Sequence, residues 1–396
     1  MPVKRVNKTP MPERDAELRS HDFGEVNEGY GIAHAQFEAE RCLRCQDPVC
    51  IDGCPVRVPI PDFVHKIASG DMRAAAELLR ASNPLPAVCG RVCPQEVQCE
   101  EQCSVGIRFK PVAIGYLERF VADWEMEQPE GEQPAQPTRP EKVAIIGSGP
   151  AGLVCAGELA RLGHPVTIYE ALHAPGGVLR YGIPEFRLPK DVLDWEIEQL
   201  KRLGVEIVCN VIIGKTLTVD DLFGKLGFSA VFVGTGAGLP QFMGIPGENY
   251  NGVYSANEFL TRVNLMNAND FPNADTPVMV GRRVAVIGAG NTAMDTVRTA
   301  LRVGAEQGLI VYRRSDQEMT ARVEEHQHAI EEGVEFHWLT NPVEVLGDDE
   351  GWVTGLKCVK MELGEPDDSG RARPIPIEGS EFVLPVDNVV LSIGNR

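Results

Sequence analysis

The chain has 396 residues, of which 43% are hydrophobic and 24% charged, so it can bury more than one hydrophobic core and is neither disordered nor peptide-sized. Its 38 basic and 57 acidic residues give a net charge of −19, which argues against nucleic acids and anionic membranes as partners. No apolar run approaches the ~20 residues of a membrane span, and Met1–Asp15 lacks the apolar core of a secretion signal. We therefore expect a cytoplasmic protein.

Cysteines are concentrated near the beginning of the chain, where eight of the eleven fall in the first quarter. They form two blocks: Cys42, Cys45, Cys50 and Cys54, then Cys89, Cys93, Cys99 and Cys103. Closely spaced soft thiolates are typical of iron–sulfur sites. Structural zinc is the alternative, but zinc usually uses C-x2-C pairs, whereas three intervals here are C-x3-C. The pattern favours clusters in which one block can contribute ligands to more than one site.

The segment up to about Trp124 is predicted to be helical. Residues 63–67 and 74–79 follow a helical period, and Asp71 is placed to cap the second of these helices. The stretch 127–141 is rich in proline and acidic residues and has no apolar periodicity, which predicts a solvated linker. We therefore expect an α-helical domain over 1–126, followed by a linker over 127–141.

A first nucleotide-binding motif follows the linker. Residues 143–146 form an apolar strand, and the motif Gly147-x-Gly149-x-x-Gly152 begins the next helix. Its glycines permit the turn, the approach of a pyrophosphate and close helix–strand packing. Glu170 directly follows the second strand, 166–169, at the position where an acid commonly binds a ribose. Ala151 inside this loop is typical of the FAD-binding variants.

A second motif repeats this plan. Strand 284–287 leads to Gly288-x-Gly290-x-x-Ala293, and strand 309–312 is followed by Arg313 and Arg314 instead of an acid. Arginines can bind a 2′-phosphate, which favours NADPH over NADH. A solvated basic turn is the alternative interpretation. Strands that alternate with helices predict parallel sheets, giving an α + α/β protein.

The order of these motifs resembles the small (β) subunit family of NADPH-dependent glutamate synthase, especially the homotetrameric type. That family is related to the large subunit of NADH-dependent ferredoxin:NADP oxidoreductase and to the amino-terminal part of dihydropyrimidine dehydrogenase. The similar stretches run nearly from end to end and include residues 9–15, 41–50, 83–96, 111–124, 176–190 and 362–371.

The resemblance implies a helical ferredoxin-like domain with two [4Fe-4S] clusters, then FAD and NADPH domains arranged as in glutathione reductase. The implied bounds are an FAD-binding part over 142–276, an NADPH domain over 277–382 and a returning FAD segment over 383–396. The returning segment of the family continues into a Gly-Asp motif that does not follow here. We therefore expect the FAD domain to be incomplete at its C-terminus.

The resemblance also implies the ligands. One cluster takes Cys42, Cys45, Cys50 and Cys103, and the other takes Cys54, Cys93 and Cys99 with Glu118, Cys89 being the alternative fourth ligand. The implied FAD contacts are Gly147, Gly149, Ala151, Gly152, Glu170, Leu179, Arg187, Gly234, Thr235 and Gly236. The implied NADPH contacts are Gly288, Gly290, Asn291, Thr292, Ala293, Arg313 and Arg314.

The implied function is electron input: NADPH reduces FAD, and single electrons leave through the clusters to a separate large subunit that makes glutamate from glutamine and 2-oxoglutarate. No catalytic acid or base is named. Two alternatives stay open, namely transfer to another redox protein such as a ferredoxin, and a non-catalytic cluster-binding module.

Overall fold

The computed structural model describes residues 7–128, 136–368 and 370–395. The middle of the predicted linker, residues 129–135, lies outside the described residues. The helices, in chain order, are α1 (Ala16–Arg19), α2 (Ile32–Ala39), α3 (Val49–Asp52), α4 (Ile60–Ser69), α5 (Met72–Ser82), α6 (Pro86–Val92), α7 (Ile114–Met126), α8 (Pro150–Arg161), α9 (Val178–Tyr181), α10 (Lys190–Arg202), α11 (Val219–Gly224), α12 (Ala256–Asn264), α13 (Asn291–Arg302) and α14 (Val323–Glu331). No helix in the described part of the chain is long and apolar enough to span a membrane.

The strands are shorter and begin after the helical region. In chain order they are β1 (Val143–Ile146), β2 (Val166–Tyr169), β3 (Glu206–Val208), β4 (Ala230–Val233), β5 (Val253–Ser255), β6 (Arg283–Ile287), β7 (Gln307–Val311), β8 (Glu335–His337), β9 (Thr340–Gly347), β10 (Val353–Pro366), β11 (Ala372–Pro376), β12 (Phe382–Leu384) and β13 (Asn388–Leu391).

The chain forms two compact units. The first comprises Met1–Arg14, Glu25–Arg180 and Glu185–Gly236, and the second comprises Asp15–Gly24, Tyr181–Pro184 and Ala237–Arg396.

The first unit combines the helical region with a parallel sheet. The predicted helices are confirmed as α4 and α5, and Asp71 Oδ1 accepts a hydrogen bond from Ala74 N at the start of α5. Their apolar faces pack against α7 in a core that includes Phe63, Leu79 and Leu117. The sheet has the order β3-β2-β1-β4 with every pair parallel, so β1 is central and the carboxyl ends of all four strands meet at one edge.

The second unit contains a parallel sheet of order β5-β13-β6-β7-β8 and an antiparallel assembly of β9–β12. The two compact units divide the chain differently from the predicted domains, whose bounds stay a prediction. Strand β5 and helix α12, expected in the FAD-binding part, belong to this unit, and β13, expected in the returning FAD segment, pairs with β5 and β6. The physical reason is that Val389, Val390 and Leu391 are fully or almost fully buried between two parallel neighbours.

A buried ion network joins α13 to α14 within the second unit. Glu332, just after α14, accepts hydrogen bonds from Arg298 Nε and Nη2 at 3.0 and 2.8 Å and from Arg302 Nη1 at 2.6 Å. Arg298 also donates to Glu325 at 2.5 Å. Burial alone would raise the pKa of Glu332, but the hydrogen bonds and charges of Arg298 and Arg302 hold it at about 2.

We expect Arg298→Met to lower the free energy for opening this unit by about 3–5 kcal/mol, because it leaves the buried Glu332 without its main partner. Hydrogen exchange of the β6 and β7 amides measures this opening in the second unit by itself. The matched control is Arg282→Met, which breaks an exposed pair with Glu306 and should cost about 0–1 kcal/mol. Equal protection in the two variants would contradict the prediction.

The same network predicts acid sensitivity. The pKa of Glu332 is lowered from 4.5 to about 2, so its stabilisation is complete above pH 4.5 and is lost as the pH falls toward 2. In Arg298→Met this acid-dependent part of the opening free energy should shrink, which hydrogen exchange at several pH values can test.

Candidate functional site

Four of the predicted iron ligands lie together in the first unit. Cys42, Cys45, Cys50 and Cys103 line one small cavity, with Leu43 and Val49 beside them. Burial raises the pKa of the Cys50 thiol to about 12, and the neighbouring sulfurs of Cys103, Cys42 and Cys45 add to this effect. The chain reaches this arrangement through a tight turn after α2, in which Arg44 has a positive φ of 49°, and through α3, which carries Cys50.

A second group of donors surrounds the buried thiol of Cys99. Burial raises the pKa of Cys99, and further increases come from Glu100, Glu118, Cys54 and Cys93. Glu100, Glu118, Cys54 and Cys93 are therefore close enough to Cys99 for their charges to act on it. The resemblance implies that Cys54 leaves its own block to join this second set, and that division stays a prediction.

Both candidates for the fourth ligand of the second cluster lie close to this second group. Cys89 lies on α6 and Glu118 on α7, and the pKa of Cys89 is raised first by burial and then by Glu118. The helices approach closely because α6 has glycine next to Cys89: a Cβ on Gly90 would lie 2.5 Å from the backbone nitrogen of Arg119. Glu118 and Cys89 are therefore adjacent, and the geometry alone does not choose between them.

Glu118 is held in a definite orientation. Asn83 Nδ2 donates a hydrogen bond to Glu118 Oε1 at 2.9 Å, and both side chains are buried. Burial raises the pKa of Glu118 to about 7, while the Asn83 hydrogen bond acts in the opposite direction. A buried carboxyl with a raised pKa can become ionised at little cost when a cation binds beside it.

Iron fits both groups chemically. All eleven cysteines are free thiols, and those of Cys42, Cys50, Cys89 and Cys99 have raised pKa values because burial disfavours their charged form. A bound metal cation reverses this preference, since thiolates are the ligating form and binding releases their protons. A concentration of soft donors, most of them half-buried, suits iron–sulfur clusters.

The first glycine motif forms a tightly packed turn at the end of β1. A Cβ on Gly147, whose φ is +99°, would lie 2.4 Å from the carbonyl oxygen of Gly234, and one on Gly152 would lie 2.0 Å from that of Gly147. At Gly149 an added Cβ would meet no heavy atom within 4 Å. Gly147 and Gly152 are thus required by packing, whereas Gly149 faces open space at the start of α8, where a pyrophosphate can approach.

Glu170 stabilises the conformation of this loop. Its carboxylate accepts hydrogen bonds from Ser148 N and Oγ at 2.9 and 2.5 Å and from Leu172 N at 2.9 Å. Ser148 Oγ accepts in turn from Gly176 N, and Gly177 lies against Gly149. The residue expected to bind a ribose therefore also holds the phosphate loop in place.

The other predicted FAD contacts differ in exposure. Ala151 and Thr235 are exposed, and Gly236 has a positive φ of 72° in the turn after β4. Leu179 and Arg187 are buried on the segments that lead through α9 to α10. Their contact with a flavin stays a prediction.

The second glycine motif borders a cavity of about 840 Å³ at the carboxyl ends of β6, β7 and β13. Among the predicted residues, Gly288, Gly290, Thr292, Arg313 and Arg314 line it. Two others serve the fold. Ala293 is fully buried in α13, and Asn291 Oδ1 accepts a hydrogen bond from Arg322 N at 2.9 Å, which links the start of α13 to the segment before α14.

The two predicted arginines have different surroundings. Arg313 is exposed at the cavity, whereas Arg314 is only 4% exposed and donates to Asp367 and to the carbonyl of Ala372. A third arginine that the sequence reasoning missed, Arg371, also lines the cavity. Arg371 ends the stretch 362–371, which resembles the family. The sequence alone does not predict that the hairpin carrying it packs at the end of β7.

Comparisons with known proteins match both parts of the chain to known domain families. A domain described as dihydropyrimidine dehydrogenase domain II, 4Fe-4S cluster, matches residues 19–130, and a pyridine nucleotide-disulphide oxidoreductase domain matches residues 141–396. The NADPH glutamate synthase small chain of Halomonas elongata is 39% identical over 98% of this chain and 82% of its own length. The NADP(+)-dependent formate dehydrogenase subunit beta of Moorella thermoacetica is 42% identical over 87% of this chain and 50% of its own length.

The chain spans only 60% of the length of another relative, AegA of Escherichia coli. Among solved structures, FprA of Mycobacterium tuberculosis in complex with NADPH has a TM-score of 0.55 at 22% identity, covering 65% of this chain and 71% of FprA, which supports the fold. The predicted fold class and family are thereby confirmed. The chain belongs to the iron–sulfur pyridine nucleotide-disulphide oxidoreductase family that includes the small chain of NADPH-dependent glutamate synthase.

Proposed function

We propose that this chain is the electron-input subunit of an NADPH-dependent glutamate synthase, which takes electrons from NADPH through FAD and two [4Fe-4S] clusters. The observation that carries the proposal is the presence, in one chain of this family, of two four-donor groups and two glycine loops at the ends of parallel sheets. When bound, these groups supply the redox chemistry, since flavin accepts hydride and clusters carry single electrons.

The donor groups supply the iron ligands in this proposal. Cys42, Cys45, Cys50 and Cys103 hold one cluster. Cys54, Cys93, Cys99 and Glu118 hold the other. The proposal for Glu118 is supported by its burial, its raised pKa and its orientation by Asn83. Residues 1–126 then form the iron–sulfur domain, and a carboxylate ligand gives the second site a net charge different from that of a site with four thiolates.

The nucleotide loops supply binding and orientation. For FAD we propose contacts from Gly147, Gly149, Ala151, Gly152, Glu170, Leu179, Arg187, Gly234, Thr235 and Gly236. For NADPH we propose contacts from Gly288, Gly290, Asn291, Thr292, Arg313 and Arg314, whereas the fully buried Ala293 allows α13 to pack closely. The N-terminal ends of α8 and α13 direct backbone N–H groups toward the phosphates. The chain thus positions its cofactors and contributes no acid or base to the reaction.

The proposed partner is a glutamate synthase large subunit, as the relatives named small chain suggest. A second candidate is electron transfer to another redox protein, which the similarity to a formate dehydrogenase subunit favours. We place the protein in the cytoplasm, because eleven free cysteines suit a reducing compartment.

The first experiment measures electron transfer itself. Protein reconstituted with iron and sulfide without oxygen should reduce an artificial dye with NADPH, and NADPH should be preferred to NADH by about tenfold or more because of charge-assisted bonds to the 2′-phosphate. Iron-loaded protein without flavin or turnover would instead support the non-catalytic cluster-binding module. Co-purification of a large amidotransferase subunit supports the proposed partner, whereas a ferredoxin or flavoprotein in its place supports the second candidate.

A second experiment assigns the iron ligands. Cys103→Ser and Cys99→Ser should each lower the iron content from about eight to about four per chain, because each removes a ligand from a different cluster. Glu118→Ala should alter the electron paramagnetic resonance signal of one reduced cluster, while Cys89→Ser leaves both unchanged. Cys155→Ser on α8 is the control. Loss of one cluster in Cys89→Ser, with none in Glu118→Ala, would make Cys89 the ligand.

A third experiment tests the open space at Gly149. We expect Gly149→Ala to weaken FAD binding about tenfold or more, because a methyl group in the phosphate space costs about 1–3 kcal/mol. Flavin fluorescence titration measures the affinity. The control is Gly224→Ala on α11, where an added Cβ also meets no neighbour. Unchanged FAD affinity in Gly149→Ala would place the pyrophosphate elsewhere.

A further inference from the structure

The turn between β10 and β11 forms part of the cavity proposed for NADPH. Arg371, just before β11, lines this cavity together with Arg313 at the end of β7. The turn is closed by two backbone hydrogen bonds, from Asp367 N to the carbonyl of Arg371 and from Gly370 N to that of Asp367, both 2.8 Å. The backbone of Arg371 is thus paired with that of Asp367 at the edge of the cavity.

Arg314 fastens this hairpin to the end of β7. Its Nε donates to the carbonyl of Ala372 at 2.8 Å, and its Nη2 donates to Asp367 Oδ2 at 2.6 Å. Both partners flank Arg371 in the sequence, and the Arg314 side chain is almost completely buried. The carboxylate of Asp367 already offsets the charge of Arg314. If Arg314 turned toward a phosphate, it would lose its hydrogen bonds to Asp367 and to the carbonyl of Ala372.

We propose that Arg371, together with Arg313, binds the 2′-phosphate of NADPH, and that Arg314 is a positioning residue that holds the hairpin carrying Arg371. This inference rests on the proposed NADPH function and reassigns one contact within it. Two guanidinium groups from different elements can bind a phosphate dianion through charge-assisted, paired hydrogen bonds. A nucleotide without the 2′-phosphate gains nothing from either group.

The neighbouring Arg373 provides a matched control. It lies two residues further along β11, is exposed and does not line the cavity. Substitution of either arginine removes one positive charge from the same short hairpin. A difference between the two variants therefore reports position at the cavity and is independent of net charge.

The test is calorimetric titration of the whole protein with 2′,5′-ADP and with 5′-AMP, which need no electron transfer. Wild-type protein should bind 2′,5′-ADP more tightly than 5′-AMP. Arg371→Gln should weaken 2′,5′-ADP binding about 10–100-fold and change 5′-AMP binding by about twofold at most, since a charge-assisted bond is lost. Arg373→Gln should leave both affinities unchanged. In steady-state assays Arg371→Gln should raise KM for NADPH and leave kcat unchanged.

The variant Asp367→Asn tests the role of Arg314. Removal of a negative charge near the cavity would by itself strengthen phosphate binding. If Arg314 holds the hairpin, however, its partner is weakened and 2′,5′-ADP affinity falls, with 5′-AMP affinity unchanged. Tighter 2′,5′-ADP binding in Asp367→Asn would show that the bond between Arg314 and Asp367 is not needed to position Arg371, which would overturn the positioning role of Arg314.

The outcomes separate this inference from the function it rests on. If wild-type protein binds 2′,5′-ADP no better than 5′-AMP, the proposed preference for NADPH is wrong. If wild-type protein discriminates but Arg371→Gln discriminates equally well, only the role of Arg371 is wrong.

Discussion

The burial of thiols that repel one another when charged is the constraint on which the N-terminal region depends. In the second donor group, Cys99 lies near the thiols of Cys54 and Cys93 and near the carboxyl of Glu118, and burial disfavours the charged forms of Cys99 and Glu118. Without a cation, the buried Cys99 thiol stays neutral and contributes only modest packing. With iron bound, the same crowding becomes favourable, because each thiolate gains a cation and the mutual repulsion is offset. The fold and the metal therefore stabilise each other.

Close approach of backbones is what places chemically active groups beside one another in this chain. Gly90 allows α6 to contact α7 at Arg119, so that Cys89 and Glu118 become neighbours. In the first sheet, Gly147 allows the loop after β1 to contact the turn after β4 at Gly234. In both places a larger residue would separate the two elements by more than a cofactor or cluster tolerates. At these two positions glycine is needed because the backbones approach closely, and chain flexibility is a lesser reason.

The sequence predicts local elements well where the same apolar residues both set the hydrophobic pattern and form the buried core. The predicted strands 143–146 and 166–169 coincide with β1 and β2, because a central parallel sheet needs apolar runs between turns. The predicted bounds at 276 and 382 differ from the compact units for another reason. The apolar residues of β13 would suit either parallel sheet, so the sequence of the strand does not predict which sheet it joins. Its pairing with β5 and β6 depends on tertiary packing.

The same limit applies to the candidate sites. Adjacent arginines at the end of β7 predict a basic surface, but the burial of Arg314 against Asp367 and the arrival of Arg371 depend on a hairpin distant in sequence. The net charge of −19 also gives no indication of this local group of arginines. Charges further away than about 8–10 Å are screened at physiological salt, so a nucleotide phosphate responds to the few groups at its own site. An acidic protein can therefore select the more highly charged of two nucleotides, provided that its arginines are held where the extra phosphate lies.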